Sequence, residues 1–120
     1  MRNYKKFDIW QESMIIAKDV YELSSQLPIE EKYGLKSQIC RAVISIPSNI
    51  AEGCSKSSEK EFKHFLEIAI GSSFELETQL ILIKELGFAQ EKSIEIIIEK
   101  IIKNQKMINS LIGKLKKANS

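Results

Sequence analysis

A chain of 120 residues with 18 Lys+Arg against 16 Asp+Glu, 43% apolar residues, five glycines and two prolines has the length of one domain. It is too apolar to stay disordered and long enough to bury a core without staples. Two cysteines exclude a disulfide scaffold, the scarcity of Gly and Pro argues against a turn-rich all-β fold, and no apolar run approaches the roughly 18 residues of a membrane span. In chain order, the first predicted helix covers about 7–26. Phe7, Trp10, Met14, Ala17 and Tyr21 form one apolar stripe at helical spacing, and Ile9, Ile16, Val20, Leu23 and Leu27 form a second beside it. Pro28 ends it, because the residue before a proline is pushed out of the helical region.

The second predicted helix covers about 31–54, with Leu35, Ile39, Ala42, Val43, Ile46, Ile50 and Gly53 along one face. Pro47 falls inside it, and the stripe keeps its phase across that proline, so a kink is expected rather than two helices. Ser58 followed by Glu61 is a helix-start signature, and a third helix is expected over about 59–86. Its core stripe is Phe62, Phe65, Leu66, Ala69, Ser73, Leu76, Leu80 and Ile83, and Gly87 stops it. The fourth helix, about 91–117, carries Ile94, Ile97, Ile98, Ile101, Ile108, Leu111, Ile112 and Leu115 on one side. The isoleucines favour a strand by propensity, but their spacing and the length of the run decide for a helix. Four such segments with short links predict an all-α fold: a single-domain, antiparallel up-down-up-down four-helix bundle over residues 1–120.

Chemistry of the catalytic kind is hard to assemble from this sequence. Glu61-Phe62-Lys63-His64 contains the Glu-x-x-His step of di-iron bundles, but the single His cannot complete such a site. Cys40 and Cys54 lie 14 residues apart on one helix, roughly 21 Å by helical rise, and read as small buried thiols. The sequence holds no Cys-x-x-Cys, no Gly-rich phosphate loop and no nucleophile elbow. No enzyme activity, cofactor or metal is expected. The basic start lacks the apolar stretch of a secretory leader, so the expected location is the cytoplasm, without a membrane partner.

The charges are placed unevenly. Residues 1–6 hold Arg2, Lys5 and Lys6 and no acid; residues 100–120 hold Lys100, Lys103, Lys106, Lys114, Lys116 and Lys117 and no acid. All 16 acids lie between. An up-down-up-down bundle returns the end of its last helix to the start of its first. Arg2, Lys5, Lys6, Lys103, Lys106, Lys114, Lys116 and Lys117 are therefore candidates for an anion-facing basic end. The same lysines also complement the dipole of the last helix and keep the chain soluble.

A second set of polar residues runs beside the core. On the second helix Gln38, Arg41, Ser45, Asn49 and Glu52 form a stripe; on the third, Gly71, Glu75 and Gln79 do. A glycine in mid-helix costs about 1 kcal/mol relative to alanine and marks the close approach of another backbone. With the turn near residue 56, Arg41 comes level with Gly71 and near Glu75, within reach of an ion pair. These eight residues read as helix or subunit contacts whose polar pairs set register, against the plainer reading of a solvated face. Ile96 and Met107, opposite the core stripe of the fourth helix, point to a second contact surface.

The run Leu35-Lys36-Ser37-Gln38-Ile39-Cys40-Arg41-Ala42-Val43-Ile44-Ser45-Ile46-Pro47-Ser48-Asn49-Ile50-Ala51-Glu52-Gly53 resembles the signature of a bacterial four-helix bundle family. That family is named for proteins encoded in intervening sequences of 23S rRNA genes. Trp10 and Glu31-Lys32-Tyr33-Gly34-Leu35 upstream fit it, as do Ile68-Ala69-Ile70-Gly71-Ser72-Ser73-Phe74-Glu75-Leu76-Glu77-Thr78-Gln79-Leu80 and Leu86-Gly87-Phe88 downstream. The resemblance covers about 7–90 and implies a homopentameric ring of bundles. It also implies kinship with the accessory variability proteins of diversity-generating retroelements, which bind nucleic acid and a partner protein. Arg41, Asn49, Glu52, Gly71, Glu75 and Gln79 occupy motif positions, with a structural role at contacts.

Two functions follow. One is a nucleic-acid-associated accessory protein, taking RNA rather than DNA, bound through phosphates and weakly specific, since no aromatic residue interleaves the C-terminal lysines. The other is a homo-oligomeric scaffold for another protein with no nucleic-acid role.

Overall fold

The apolar spacing produces four long helices in the computed structural model, which describes residues 1–118. They are α1 over Asp8–Ser24, α2 over Leu35–Cys54, α3 over Glu59–Leu86 and α4 over Glu91–Ala118. Short 3-10 turns at Tyr4–Lys6 and Ile29–Glu31 precede α1 and α2, and the described residues contain no strand.

Local chemistry explains where the helices start and stop. Ser58 accepts the Glu61 amide at 3.1 Å and opens α3. Gly87, at φ +71°, closes it: its amide reaches the Lys84 carbonyl and the Phe88 amide reaches that of Ile83, a Schellman ending. At the end of α1 the amides of Ser25, Gln26 and Leu27 bond carbonyls three residues back, tightening the chain before Pro28. The start of α2 lies four residues later than the sequence predicts. Residues 29–31 turn as a 3-10 segment, and Glu31 then acts from outside the helix, its carboxylate accepting the Leu35 amide at 3.1 Å. Pro47 is buried inside one helix and does not divide it in two.

Each helix packs on its neighbour in the chain, α1 closes against α4, and the backbones of the diagonal pairs stay apart. The α2–α3 seam is the most extensive and the α1–α4 seam the least. Paired residues run in opposite senses along facing helices: Ser45 meets Ser72 while Gly53 meets Phe62 and Phe65; Lys84 meets Glu95 while Gln105 meets Ser73; Asp19 meets Lys100 while Ile9 meets Asn104. The result is a bundle 47 Å long and about 20 Å across.

The core takes Ile9, Ile16, Val20 and Leu23 from α1, Ile39, Val43, Ile46 and Ile50 from α2, Phe62, Leu66, Leu76, Leu80 and Ile83 from α3, and Ile94, Ile101 and Ile108 from α4. The other predicted stripe of α1 lies on its shoulder, where Trp10 and Ala17 are half-buried and Met14 and Tyr21 are exposed. On α4, Met107 packs against the core rather than facing outward, whereas Ile96 is exposed. The buried face of α4 also includes Asn104 and Gln105, which its isoleucine spacing does not reveal.

Candidate nucleic-acid interface and contact seam

One end of the bundle gathers four pieces of chain. Arg2 ties the N-terminus to the corner between α2 and α3: its amide donates to the Cys54 carbonyl at 3.2 Å and its guanidinium to the Lys56 carbonyl at 2.9 Å. The α3–α4 register brings Lys114, Lys116 and Lys117 to the same level as the first turn of α3. The sequence reading assembled this end from the termini alone. The α2–α3 corner lies there too and adds Lys56, Lys60 and Lys63, which the position of Ser58 as a helix start already implies in an up-down-up-down chain.

Residues 1–8, 52–63 and 114–118 thus hold nine cations against four carboxylates, Asp8, Glu52, Glu59 and Glu61. At the opposite end, residues 22–32 and 84–95 hold six carboxylates, Glu22, Glu30, Glu31, Glu85, Glu91 and Glu95, against Lys32, Lys84 and Lys92. The two ends of the long axis differ in sign.

Not every predicted cation serves this end. Lys103 lies farther up the bundle and pairs with Glu12 at 3.4 Å. Lys106 is one turn nearer the end and exposed. Arg2 is committed to the fold, with its guanidinium 4.3 Å from the centre of the Phe62 ring as well as on Lys56. Lys5, Lys6, Lys60, Lys114 and Lys116 are exposed. Lys56 lies over the Phe65 ring at 5.3 Å, and Lys63 stands 4.0 Å from Glu67. Beneath Arg2, burial pushes the Cys54 thiol pKa up, with the guanidinium charge pulling the other way. At the acidic end a hydrogen bond to Glu95 raises the pKa of Lys84.

Of the second predicted set, the α2–α3 seam takes Ser45 and Asn49 into its hydrogen bonds. Ser45 and Ser72 hydroxyls meet at 2.7 Å, and the Asn49 side-chain amide donates to the Ser45 carbonyl and hydroxyl at 2.7 and 2.9 Å. Gln79 keeps a buried carbonyl oxygen without a partner among the described residues. Gln38, Arg41, Glu52, Gly71 and Glu75 are exposed. The Ser45–Ser72 contact puts Arg41 level with Leu76 rather than Gly71, and no Arg41–Glu75 ion pair forms among the described residues. Nor does Gly71 mark a close approach within the subunit: a methyl group there meets nothing within 4 Å. The close approach lies at Gly53, where a Cβ would stand 2.9 Å from that of Phe65.

Among the described residues, no helix is long and apolar enough to cross a membrane, and no three His, Cys, Asp or Glu side chains are grouped to hold a metal ion. His64, the histidine of the Glu-x-x-His step, is exposed.

A family model described as 23S rRNA-intervening sequence protein matches residues 5–110. A solved structure from Bacteroides thetaiotaomicron, described as a protein with unknown function from the S23 ribosomal protein family, is similar to this chain. It has a TM-score of 0.81 and 25% sequence identity, over 87% of this chain and 97% of that one. No curated protein matches the chain.

Proposed function

The chain belongs to the family of 23S rRNA-intervening sequence proteins, and we propose that it is a non-enzymatic, self-associating bundle in the cytoplasm whose basic end binds nucleic acid, RNA in preference to DNA. The observation that carries the nucleic-acid part is the convergence on one end of both basic termini and the lysines of the α2–α3 corner. Cations gathered on one small face, with the opposite face acidic, orient the molecule toward a polyanion. With no aromatic residue among the C-terminal lysines, the contacts are to phosphates and the sequence preference is weak.

Self-association is supported by the exposed Arg41 and Glu75 and by exposed large apolar side chains, among them Ile44, Phe74, Ile81 and Leu82. A ring, with the pentamer as the family expectation, would repeat the basic end and multiply its attraction. A scaffold that binds another protein is the second reading, favoured by these same apolar side chains.

The experiment is RNA binding across a salt series. Affinity that falls steeply as salt rises, and that drops roughly tenfold when Lys60, Lys114 and Lys116 become Gln, supports the reading, since each lost phosphate contact also lowers the salt slope by about one. Indifference to RNA at low salt overturns it and leaves the scaffold.

A further inference from the structure

The acidic end of the bundle carries two apolar side chains that stand well clear of the fold. Ile29 and Tyr33 are 82% and 87% exposed; apart from Met1, no other large apolar residue among the described residues exceeds the 53% of Phe74. Both lie on the connection between α1 and α2. That connection is held in shape by its own hydrogen bonds. The Glu31 amide donates to the Pro28 carbonyl at 2.9 Å, the Lys32 amide to that of Ile29 at 3.1 Å and the Gly34 amide to that of Glu31 at 3.0 Å. The two side chains therefore project from a fixed turn, and a partner that covers them has little backbone to order. Leu86, at the end of α3, is exposed beside the other connection of this end. The Gln90 amide, donating to the side-chain oxygen of Gln26 at 3.1 Å, ties the two connections together.

The charges around them are mostly negative. Glu22, Glu30 and Glu85 are exposed and have no ion-pair partner among the described residues. Of the cations, Lys84 is held by Glu91 and Glu95, and Lys32 lies over the Tyr33 ring at 5.5 Å. Lys36 and Lys92 are of the minority sign. The carboxylates are also spread out, since among the described residues no three His, Cys, Asp or Glu side chains are grouped to hold a metal ion. Dispersed anions around exposed apolar side chains suit several cations along one segment rather than a single ion.

We infer that this end receives a Lys/Arg-rich segment of another protein, whose large apolar side chains pack on Ile29 and Tyr33 while its cations face Glu22, Glu30 and Glu85. The end is about 20 Å across, a width that an extended segment of about six residues spans. A second copy of this chain does not supply such a segment. Apart from Met1, its basic end exposes no large apolar side chain among the described residues, so it offers the charge without the apolar anchors. The inference stands apart from the RNA binding proposed above, which uses the opposite end. The two ligands would sit at the two ends of the 47 Å axis and would not compete.

The test measures binding of a fluorescein-labelled peptide to the full chain by fluorescence anisotropy. The peptide alternates lysine and leucine over about nine residues, enough to cross the end. One control has serine in place of leucine and carries the charge alone; another has glutamate in place of lysine and carries the apolar side chains alone. The lysine–leucine peptide is expected to bind at least about tenfold more tightly than either control. Ile29→Ser together with Tyr33→Ser is expected to weaken it at least about tenfold, and Glu30→Gln together with Glu85→Gln severalfold, with helicity by circular dichroism unchanged. RNA affinity should stay as it is in both variants, because the two ends lie several Debye lengths apart. If the serine pair loses helicity, Ile29→Ser with Leu86→Ser replaces it.

A wild-type chain that ignores the lysine–leucine peptide at low salt overturns the inference. Equal affinity for the lysine–serine peptide overturns it too, by showing attraction through charge alone. Equal affinity in the serine variant places the peptide elsewhere on the molecule and overturns it as well. A wild-type mass that grows at low salt and returns to its former value on Tyr33→Ser assigns this end to a second copy instead. None of these outcomes touches the RNA reading, which fails only when RNA itself is not bound.

Discussion

Asn104, buried in the middle of α4, donates its side-chain amide to the backbone carbonyl of Ile9 on α1 at 3.1 Å, and its own carbonyl oxygen is buried without a partner among the described residues. A buried group only half satisfied holds register between two helices and contributes little net stability. The α1–α4 seam is the least extensive in the bundle, and this buried bond helps to set its level together with the Asp19–Lys100 and Glu12–Lys103 pairs. Asn104→Leu, similar in volume, should change the unfolding free energy by no more than about 1 kcal/mol. Asn104→Asp should cost about 3 kcal/mol or more, because it buries an uncompensated charge. Urea denaturation of the two variants measures both.

Arg2 acts as a strap over the α2–α3 corner. Arg2→Ala should lower stability by about 1–2 kcal/mol, from the lost ring contact and the lost bond to Lys56, and should speed reaction of the Cys54 thiol with a disulfide reagent. Unchanged thiol kinetics would show that the strap does not cover Cys54.

Burial of that thiol also gives a dependence on pH. Its pKa is raised in the folded chain, so the unfolded chain loses the proton first. The contribution is intact below the ordinary thiol range and is lost as the pH rises through the folded value. Melting temperature should therefore fall more steeply with alkaline pH in the wild type than in Cys54→Ala. Parallel slopes in the two proteins would contradict the assignment.

Two glycines in helices should respond in opposite directions. Gly53→Ala drives a methyl group against the Cβ of Phe65 and the ring of Phe62, and should destabilise by about 1–3 kcal/mol. Gly71→Ala meets open space and should stabilise the monomer by up to about 1 kcal/mol. Thermal melts of the pair decide the matter.

Lysines in the same helix should separate by position. Lys103→Gln, which removes the partner of Glu12 away from the basic end, should change RNA affinity less than about twofold. Lys114→Gln, losing one phosphate contact, should reduce it severalfold at low salt. Equal losses would place the bound strand along the side of α4 rather than across the end.

Legibility in the sequence followed the range over which each feature is determined. The bounds of α3 could be read because Ser58 and Gly87 act within a turn of themselves. The start of α2 could not, since Glu31 caps it from outside the helix and the residues between form a 3-10 segment of their own. The helical stripes placed most of the core, yet they omitted Asn104 and Gln105. The partners of those two, Ile9, Ser73 and Glu77, lie on other helices. Gly71 drew attention as a mid-helix glycine, while the glycine in close contact is Gly53, whose neighbour is set by how tightly the α2–α3 corner turns. Arg2 looked like a free cation because nothing in sequence spacing shows the ring of Phe62 above which it lies.

Pro47 bears on the order in which the chain assembles. It has no amide hydrogen, so the carbonyl of Val43 finds no donor four residues on, and the hydrogen-bond ladder of α2 lacks a rung at its middle. A 20-residue segment interrupted in this way has little persistence alone, whereas α3 and α4 each propagate through 28 residues without a proline. The expected sequence of events is that α3 and α4 organise first and α2 winds onto the surface they present. In a pulse-labelling refolding experiment, amides of α3 should then gain protection before those of α2, making the most extensive seam of the finished bundle one of the later ones to form.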